Sequence, residues 1–304
     1  MKGLFSVLSD TAQAVEPLHF SPLSLSQKEQ VEAVRKASGN TLYVYTFASL
    51  FSWRKAEQYS IYINDEAFIV KNEAEGEHAY LFPCGTDAGK KQLLDVLLTY
   101  EQPVFYTVRD EDKAFLECEY PGKFHFEECR DEFPYLYDKA EQIALKGKTY
   151  KRLRHQINTG RATAAHWSVE TISEENIERA LVLNRRWAAE RSSDELADVE
   201  AAQTALHHIK ELSMWGLLFV ADGKDVAYAL GTFVTPEIFD ISFCKVLDNR
   251  LDCYIKWALY NALPAEVKTV DSEEDLGLSG LRKHKQLRIP KALTRVWKGS
   301  LKDE

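Results

Sequence analysis

Between residues 217 and 246 the sequence carries three apolar runs with almost nothing separating them. Residues 217–221 lead through Asp222-Gly223 into 226–234, and a short break leads on to 238–246. An Asp-Gly step between apolar runs marks a hairpin turn, because both residues tolerate the positive φ that such a turn needs. Three strands in this sequence therefore run antiparallel. The next apolar segment, 253–263, is long enough for a helix and stops at Pro264, which cannot continue one. Residues 267–271 then read as a strand, 279–285 as a short helix and 293–297 as a last strand. A strand reached through a helical crossover returns parallel to the one before it. The pattern predicts a mixed sheet of the α/β (α+β) class.

Two helices precede the meander. Ser173 is a plausible N-cap, with Glu174 and Glu175 in the first turn, where carboxylates suit the helix dipole. Ile177, Ala180, Leu181, Asn184, Trp187 and Ala188 share one helical face, and Val199, Ala202, Leu206 and Ile209 share another. The first half repeats the order more faintly. It has a helix at 26–37, strands at 59–63, 67–70 and 79–83, a helix at 87–100, a strand at 103–108 and a helix at 112–119. The 304 residues suffice for two domains, expected at 1–135 and 136–304 with the join between 124 and 165. Each is expected to be a mixed sheet with helices on both faces.

Several classes are disfavoured. No stretch approaches the roughly 18 apolar residues that cross a bilayer, so integral membrane association is not expected. Residues 1–13 lack the sustained apolar run of a secretory signal. Five scattered cysteines without a CxxC argue against a disulfide framework and a zinc site. A cytoplasmic protein with no metal is expected. The net charge of −9 disfavours a general polyanion binder. Two stretches oppose the trend: 146–161 holds six basic residues and 282–298 holds seven, neither with an acid.

Three segments carry a family resemblance. One is Tyr135-Leu136-Tyr137-Asp138 with the basic run from Leu145 to Asn158. Another is Asp225-Val226-Ala227-Tyr228-Ala229-Leu230-Gly231. The third is Asp271-Ser272-Glu273-Glu274-Asp275-Leu276-Gly277-Leu278-Ser279-Gly280-Leu281-Arg282-Lys283-His284-Lys285, followed by Pro290. Together they resemble the DUF2156 family, which is similar to the C-terminal catalytic domain of phosphatidylglycerol lysyltransferase. The resemblance implies two tandem GNAT-like units and transfer of an aminoacyl group from charged tRNA.

Acyl transfer needs a proton acceptor, donors for the oxyanion and a pocket for the donor substrate. Asp271, Glu273, Glu274 and Asp275 lie where a strand ends and a helix begins, the place where ligands gather in open α/β sheets. Asp271, Glu273 and Asp275 are the catalytic candidates, with Arg282 and Lys285 for an anionic group. The same charges also suit the dipole of the helix with no chemistry at all. Lys148, Arg152, His155 and Asn158 are candidates to hold a phosphate-bearing carrier, with a solvated basic face as the alternative. Trp187 falls on an apolar face, in the core or walling a pocket. The expected arrangement sets the 271–277 run on one wall of a cleft and the 151–155 run on the other.

Acyl-CoA is the other donor considered. Residues 246–252 contain no glycine and two acids, which is poor for cradling phosphate. The run Pro83-Cys84-Gly85-Thr86-Asp87-Ala88-Gly89-Lys90 has two glycines before a helix, but reads better as an ordinary strand-to-helix turn. The expected function is thus a GNAT-type acyl- or aminoacyl-transferase acting on a small-molecule or aminoacyl-carrier substrate, tRNA included. The alternatives are a non-catalytic binding protein of the same fold and a conventional acyl-CoA N-acyltransferase.

Overall fold

A computed structural model describes residues 16–189 and 196–302. The opening segment read above for a secretory signal, 1–13, lies outside the described residues. The first half runs β1 (Ser21–Pro22), α1 (Lys28–Ala37), α2 (Phe47–Trp53), β2 (Tyr59–Ile63), β3 (Ala67–Asn72), β4 (Ala79–Gly85), α3 (Asp87–Leu97), β5 (Val104–Arg109), α4 (Asp110–Glu119) and β6 (Phe124–Glu128). The second opens with β7 (Tyr135–Asp138), α5 (Lys139–Ala144), α6 (Lys151–Arg161), β8 (Trp167–Thr171), α7 (Ile177–Ala189) and α8 (Leu196–His207). It continues with β9 (Trp215–Ala221), β10 (Lys224–Thr235), β11 (Ile238–Val246), α9 (Asp252–Ala262), β12 (Thr269–Asp271), α10 (Ser279–Leu287), β13 (Ala292–Leu293) and β14 (Val296–Leu301). The hairpin turn between β9 and β10 has the backbone its sequence demands, with φ of 46° at Asp222 and 76° at Gly223.

Two seven-stranded sheets result, ordered β1-β2-β3-β4-β5-β14-β6 and β8-β9-β10-β11-β12-β7-β13. Position by position they match: each is antiparallel except for one parallel pair, β4 with β5 and β11 with β12. In both, the parallel pair stays in register for three residues and then parts. The sixth position of the first sheet is filled by β14, from the second half, while that of the second sheet is filled by β7, the strand that opens its own half. The chain leaves the first sheet after β6, enters the second as β7, and returns from β13 as β14. The two crossings lie side by side. The Cys129 N–H donates to the Val296 carbonyl at 3.1 Å, and the Thr294 N–H to the Pro134 carbonyl at 3.0 Å. The single strand expected at 293–297 is therefore two, one in each sheet. An apolar pattern marks extended chain but not the sheet that chain joins.

The largest core lies between the sheets, where α1 and α2 meet α7 and α8. Val31, Phe47 and Leu50 from the first half pack with Ala180, Leu206 and Phe243 from the second. The Arg35 guanidinium, 1% exposed, donates to the Val234 carbonyl across this boundary at 3.0 Å. The outer face of the second sheet is covered by α5, α6 and α9, through Leu153, Ile157, Ile255 and Leu259. The outer face of the first is covered by α3 and α4, through Leu93, Leu94 and Leu116.

Candidate functional site

A cavity of about 300 Å³ opens where the halves meet. Trp53 at the end of α2, Tyr43 in the turn before it, Tyr59 on β2 and Tyr106 on β5 give it aromatic walls. Five carboxylates line it: Glu57 and Glu75 beside β2 and β3, Glu132 in the first crossing, and Glu273 and Glu274 just after β12. Among the described residues the lining holds no lysine, arginine or histidine. The Tyr43 hydroxyl donates to Glu274 Oε2 at 2.5 Å, and Asn72 Nδ2 donates to Glu57 Oε2 at 2.9 Å.

Crowded acids out of water resist ionisation. Burial, reinforced by the charges of Glu274 and Glu75, pushes the Glu132 carboxyl up to about 7. Burial raises Glu57 as well, and raises Glu273 further with help from Asp240 and Glu274. The Tyr43 hydroxyl is pushed up by burial and then by Glu274, so it stays a neutral donor.

The run after β12 divides by what each side chain meets. Asp271 is buried at the end of its strand, in register with Asp240 on β11. It accepts from the Glu273 N–H at 2.8 Å, and burial pushes its carboxyl up to about 7. Asp240 is fully buried; Ser242 Oγ donates to its Oδ2, while its Oδ1 accepts no hydrogen bond among the described residues. Lys285, also buried, donates its ammonium to the Ser272 and Glu273 carbonyls. Asp275 turns away from the cavity and into a lock. It accepts from Arg282 Nε at 2.8 Å and Nη2 at 2.6 Å, from the Tyr135 hydroxyl at 2.6 Å and from the Gly277 N–H at 3.0 Å. The Arg282 guanidinium, followed by Tyr135 and Gly277, holds the Asp275 carboxyl well below the usual carboxylate range. Arg282 also pairs with Asp131. Asp275, Arg282 and Lys285 are thus engaged by internal partners that close the β12–α10 connection, and none of them lines the cavity.

The expected opposite wall is elsewhere. Arg152, His155 and Asn158 are exposed on α6, on the outer face of the second sheet, while the cavity opens on its inner side. Lys148 precedes α6 and is exposed too. Charge pattern identifies a basic face but not which side of the sheet the helix covers. Trp187 is half-buried on α7, with Lys245 Nζ 3.9 Å from its ring centre, and does not line the cavity. Glu57, Glu75 and Glu132 escape the sequence reading because only the fold assembles them: the β2–β3 pairing brings Glu57 and Glu75 together and the first crossing adds Glu132.

Coenzyme A, which a GNAT-like order implies, finds a poor fit. A Cβ on Gly85 would stand 2.3 Å from the Glu66 carbonyl oxygen, and one on Gly89 2.8 Å from Glu66 Cβ. Those glycines serve close packing against the β2–β3 turn. The gap where β4 and β5 part is bridged by the Tyr45 hydroxyl, 2.8 Å from both the Phe82 carbonyl and Thr107 Oγ1. The nearby cations are matched by their own acids: Lys90 with Asp87 and Asp112, Arg109 with Asp112. In the second half, Asp248 caps its own loop by accepting from the Arg250 N–H at 2.9 Å. Asp252, Cys253 and His284 gather ligand atoms within 4.8 Å, but Lys256 Nζ stands 3.2 Å from Asp252 Oδ1 and 3.4 Å from His284 Nε2, so the cation there is built in.

Residues 35–288 match the family described as phosphatidylglycerol lysyltransferase, C-terminal. The chain belongs to this family. Its architecture is that of tandem GNAT proteins. A Bacteroides thetaiotaomicron protein of unknown function is similar over 94% of this chain and 100% of its own, at 25% identity and a TM-score of 0.85. A DUF2156 domain assigned to a lysylphosphatidylglycerol synthetase of Agrobacterium fabrum is 13% identical over 91% of this chain and 92% of its own, with a TM-score of 0.64. L-PGS from Bacillus licheniformis is 12% identical over 89% and 90%, with a TM-score of 0.63. No curated protein matches the chain by sequence. Among the described residues no helix is long and apolar enough to cross a membrane.

Proposed function

We propose that this family member is an acyl- or aminoacyl-transferase whose reaction takes place at the cavity between its halves. The supporting observation is the set of five carboxylates there, with Glu132 titrating near neutrality. A base with a pKa near the working pH is both available and strong enough to accept a proton in the transition state. In this reading an acceptor amine enters against the acidic wall and loses a proton to Glu132. Its nitrogen attacks the carbonyl carbon of a group esterified to a carrier. The new C–N bond forms, the C–O bond to the carrier breaks, and the proton held on Glu132 passes to the departing oxygen. Before that proton leaves, Glu274 holds the incoming ammonium, with Tyr43 fixing its rotamer.

The names of the similar proteins favour a lysyl group as what is transferred, the family resemblance implies a charged tRNA as its carrier, and the exposed cations of α6 offer a surface for such a carrier. Single-turnover transfer from lysyl-tRNA to a panel of amine acceptors tests this. Glu132→Gln is expected to slow the chemical step by about 10²-fold or more while leaving the protein folded. Equal rates for the variant and the wild type would refute the role given to Glu132. A binding protein without turnover is the second reading, favoured by a cavity wall that holds no cation among the described residues to grip a carrier. It predicts ligand-dependent thermal stabilisation with no transfer from any donor.

A further inference from the structure

We infer that Asp240 and Asp271 form a relay that carries the surplus proton of the reaction from the cavity to a second, smaller pocket beside the crossings. Transfer to an ammonium acceptor leaves such a proton over. The acceptor nitrogen enters with three hydrogens and ends in the amide with one. The departing oxygen takes one of the two protons lost, and the other has to reach solvent while substrate fills the cavity.

The second pocket, of about 160 Å³, shares Leu42 with the cavity, and the buried Asp271 lines it. Asp110, Glu111 and Arg295 on its wall are exposed, so it opens to solvent. Asp240 is fully buried, stands in register with Asp271 on the neighbouring strand, and acts electrostatically on Glu273, which lines the cavity. Carboxyls therefore lead in succession from the cavity to the second pocket. Asp240 Oδ2 is taken by Ser242 Oγ, but Oδ1 meets no donor among the described residues. A buried acceptor without a donor is costly. The Lys285 ammonium, which also faces these acids, is engaged by the Ser272 and Glu273 carbonyls, and the Tyr43 hydroxyl by Glu274. A proton carried by a neighbouring carboxyl is what remains to satisfy Oδ1. Burial, then the charge of Asp271, raises Asp240 well above the usual carboxylate range, and burial pushes Asp271 up to about 7, so the pair keeps a proton near neutrality.

A protonated carboxyl can donate from one oxygen while accepting at the other. Glu273 takes the surplus proton from the nitrogen and gives its own to Asp240 Oδ1. Asp240 gives one to Asp271, and Asp271 releases one to solvent in the smaller pocket. Neither aspartate touches the substrate; both act through Glu273.

The inference rests on the amine-transfer reaction proposed above, and two measurements on the full chain test it. In that transfer assay at low buffer concentration, Asp240→Asn and Asp271→Asn are each expected to slow turnover, and proton release to a pH indicator, by about tenfold or more. Added imidazole, a small diffusible proton carrier, should restore both; a merely structural loss would not respond to it. Asparagine at 271 still accepts from the Glu273 N–H, which keeps the loop in place. Infrared spectroscopy with isotopically labelled aspartate carboxyls needs neither turnover nor a variant. It is expected to show an aspartic acid C=O stretch persisting at neutral pH, and it decides alone should neither variant fold. Absence of that band, unaltered turnover in the variants, or a loss that imidazole does not restore would overturn the relay and leave the transfer reaction standing. A wild type that transfers from no donor would overturn that reaction and the relay with it.

Discussion

The two halves share a strand order and differ in what occupies the point where their parallel strands part. In the first half the neutral Tyr45 hydroxyl bridges Phe82 and Thr107. In the second, two buried acids face each other at Asp240 and Asp271, and the Lys285 ammonium holds the chain just beyond β12. A neutral plug makes the first half a frame. Just beyond those buried acids the second half puts Glu273 and Glu274 into the cavity, and the first half supplies three more carboxylates, Glu57, Glu75 and the crossing residue Glu132. The cavity therefore belongs to the junction and to neither sheet alone.

The strand that the second half lends to the first sheet gives the most severe way to break this comparison. Deleting residues 294–304 removes β14 from between β5 and β6, leaving two unpaired edges and exposing the apolar surface that Val296 buries. Loss of the cooperative unfolding transition is expected, with amides of β5 and β6 becoming unprotected in hydrogen exchange. The separate halves, cut between β6 and β7, should fare no better. A cooperative transition in the first half expressed alone would mean that the sheets are independent after all.

The acids can be told apart next. Asp275→Asn weakens charge-assisted bonds to a buried group and is expected to cost about 2 kcal/mol in chemical denaturation. Because the folded Asp275 holds its proton less tightly than the unfolded chain does, its contribution is present above the ordinary carboxylate pKa of about 4 and is lost as pH falls below it. The variant should therefore lose the acid limb of the stability profile. Glu132 has the opposite sign. Its carboxyl rises from 4.5 to about 7 on folding, so the folded state binds the extra proton between those values and stability declines as pH climbs through them. Glu132→Gln should gain stability relative to the wild type over that interval and no more beyond it. Parallel profiles for the variant and the wild type would remove Glu132 from the buried acid group.

Much of the frame is readable from local pattern. The 59–63 and 238–246 strands fall where alternation and apolar content put them, and Asp222-Gly223 announces its hairpin. The helix α2 escapes because Phe47–Ser52 are buried all round, so no polar stripe gives it a helical period. The placement of β14 in the first sheet escapes because strand pattern carries no address. Within the site, Glu273 and Glu274 stand out in the 271–277 run, but the most conspicuous pair there, Asp275 and Arg282, is occupied with holding the loop. Opposite charges seven residues apart can satisfy each other, and sequence cannot distinguish that from a pair waiting for substrate.

The smallest effect expected is on the outer face of the second sheet. Arg152 and His155 are exposed on α6, and exposed substitutions away from packed groups change stability by less than about 0.5 kcal/mol. Replacing both with alanine should therefore leave the unfolding midpoint as it was, and neither side chain lines the cavity. If a tRNA carrier lies along α6, its affinity falls with salt through the counterions its phosphates release, and each lost cation contact lowers the slope of log affinity against log salt by about one. The double variant should then bind tRNA with a shallower slope. An unchanged slope would take the carrier off this face.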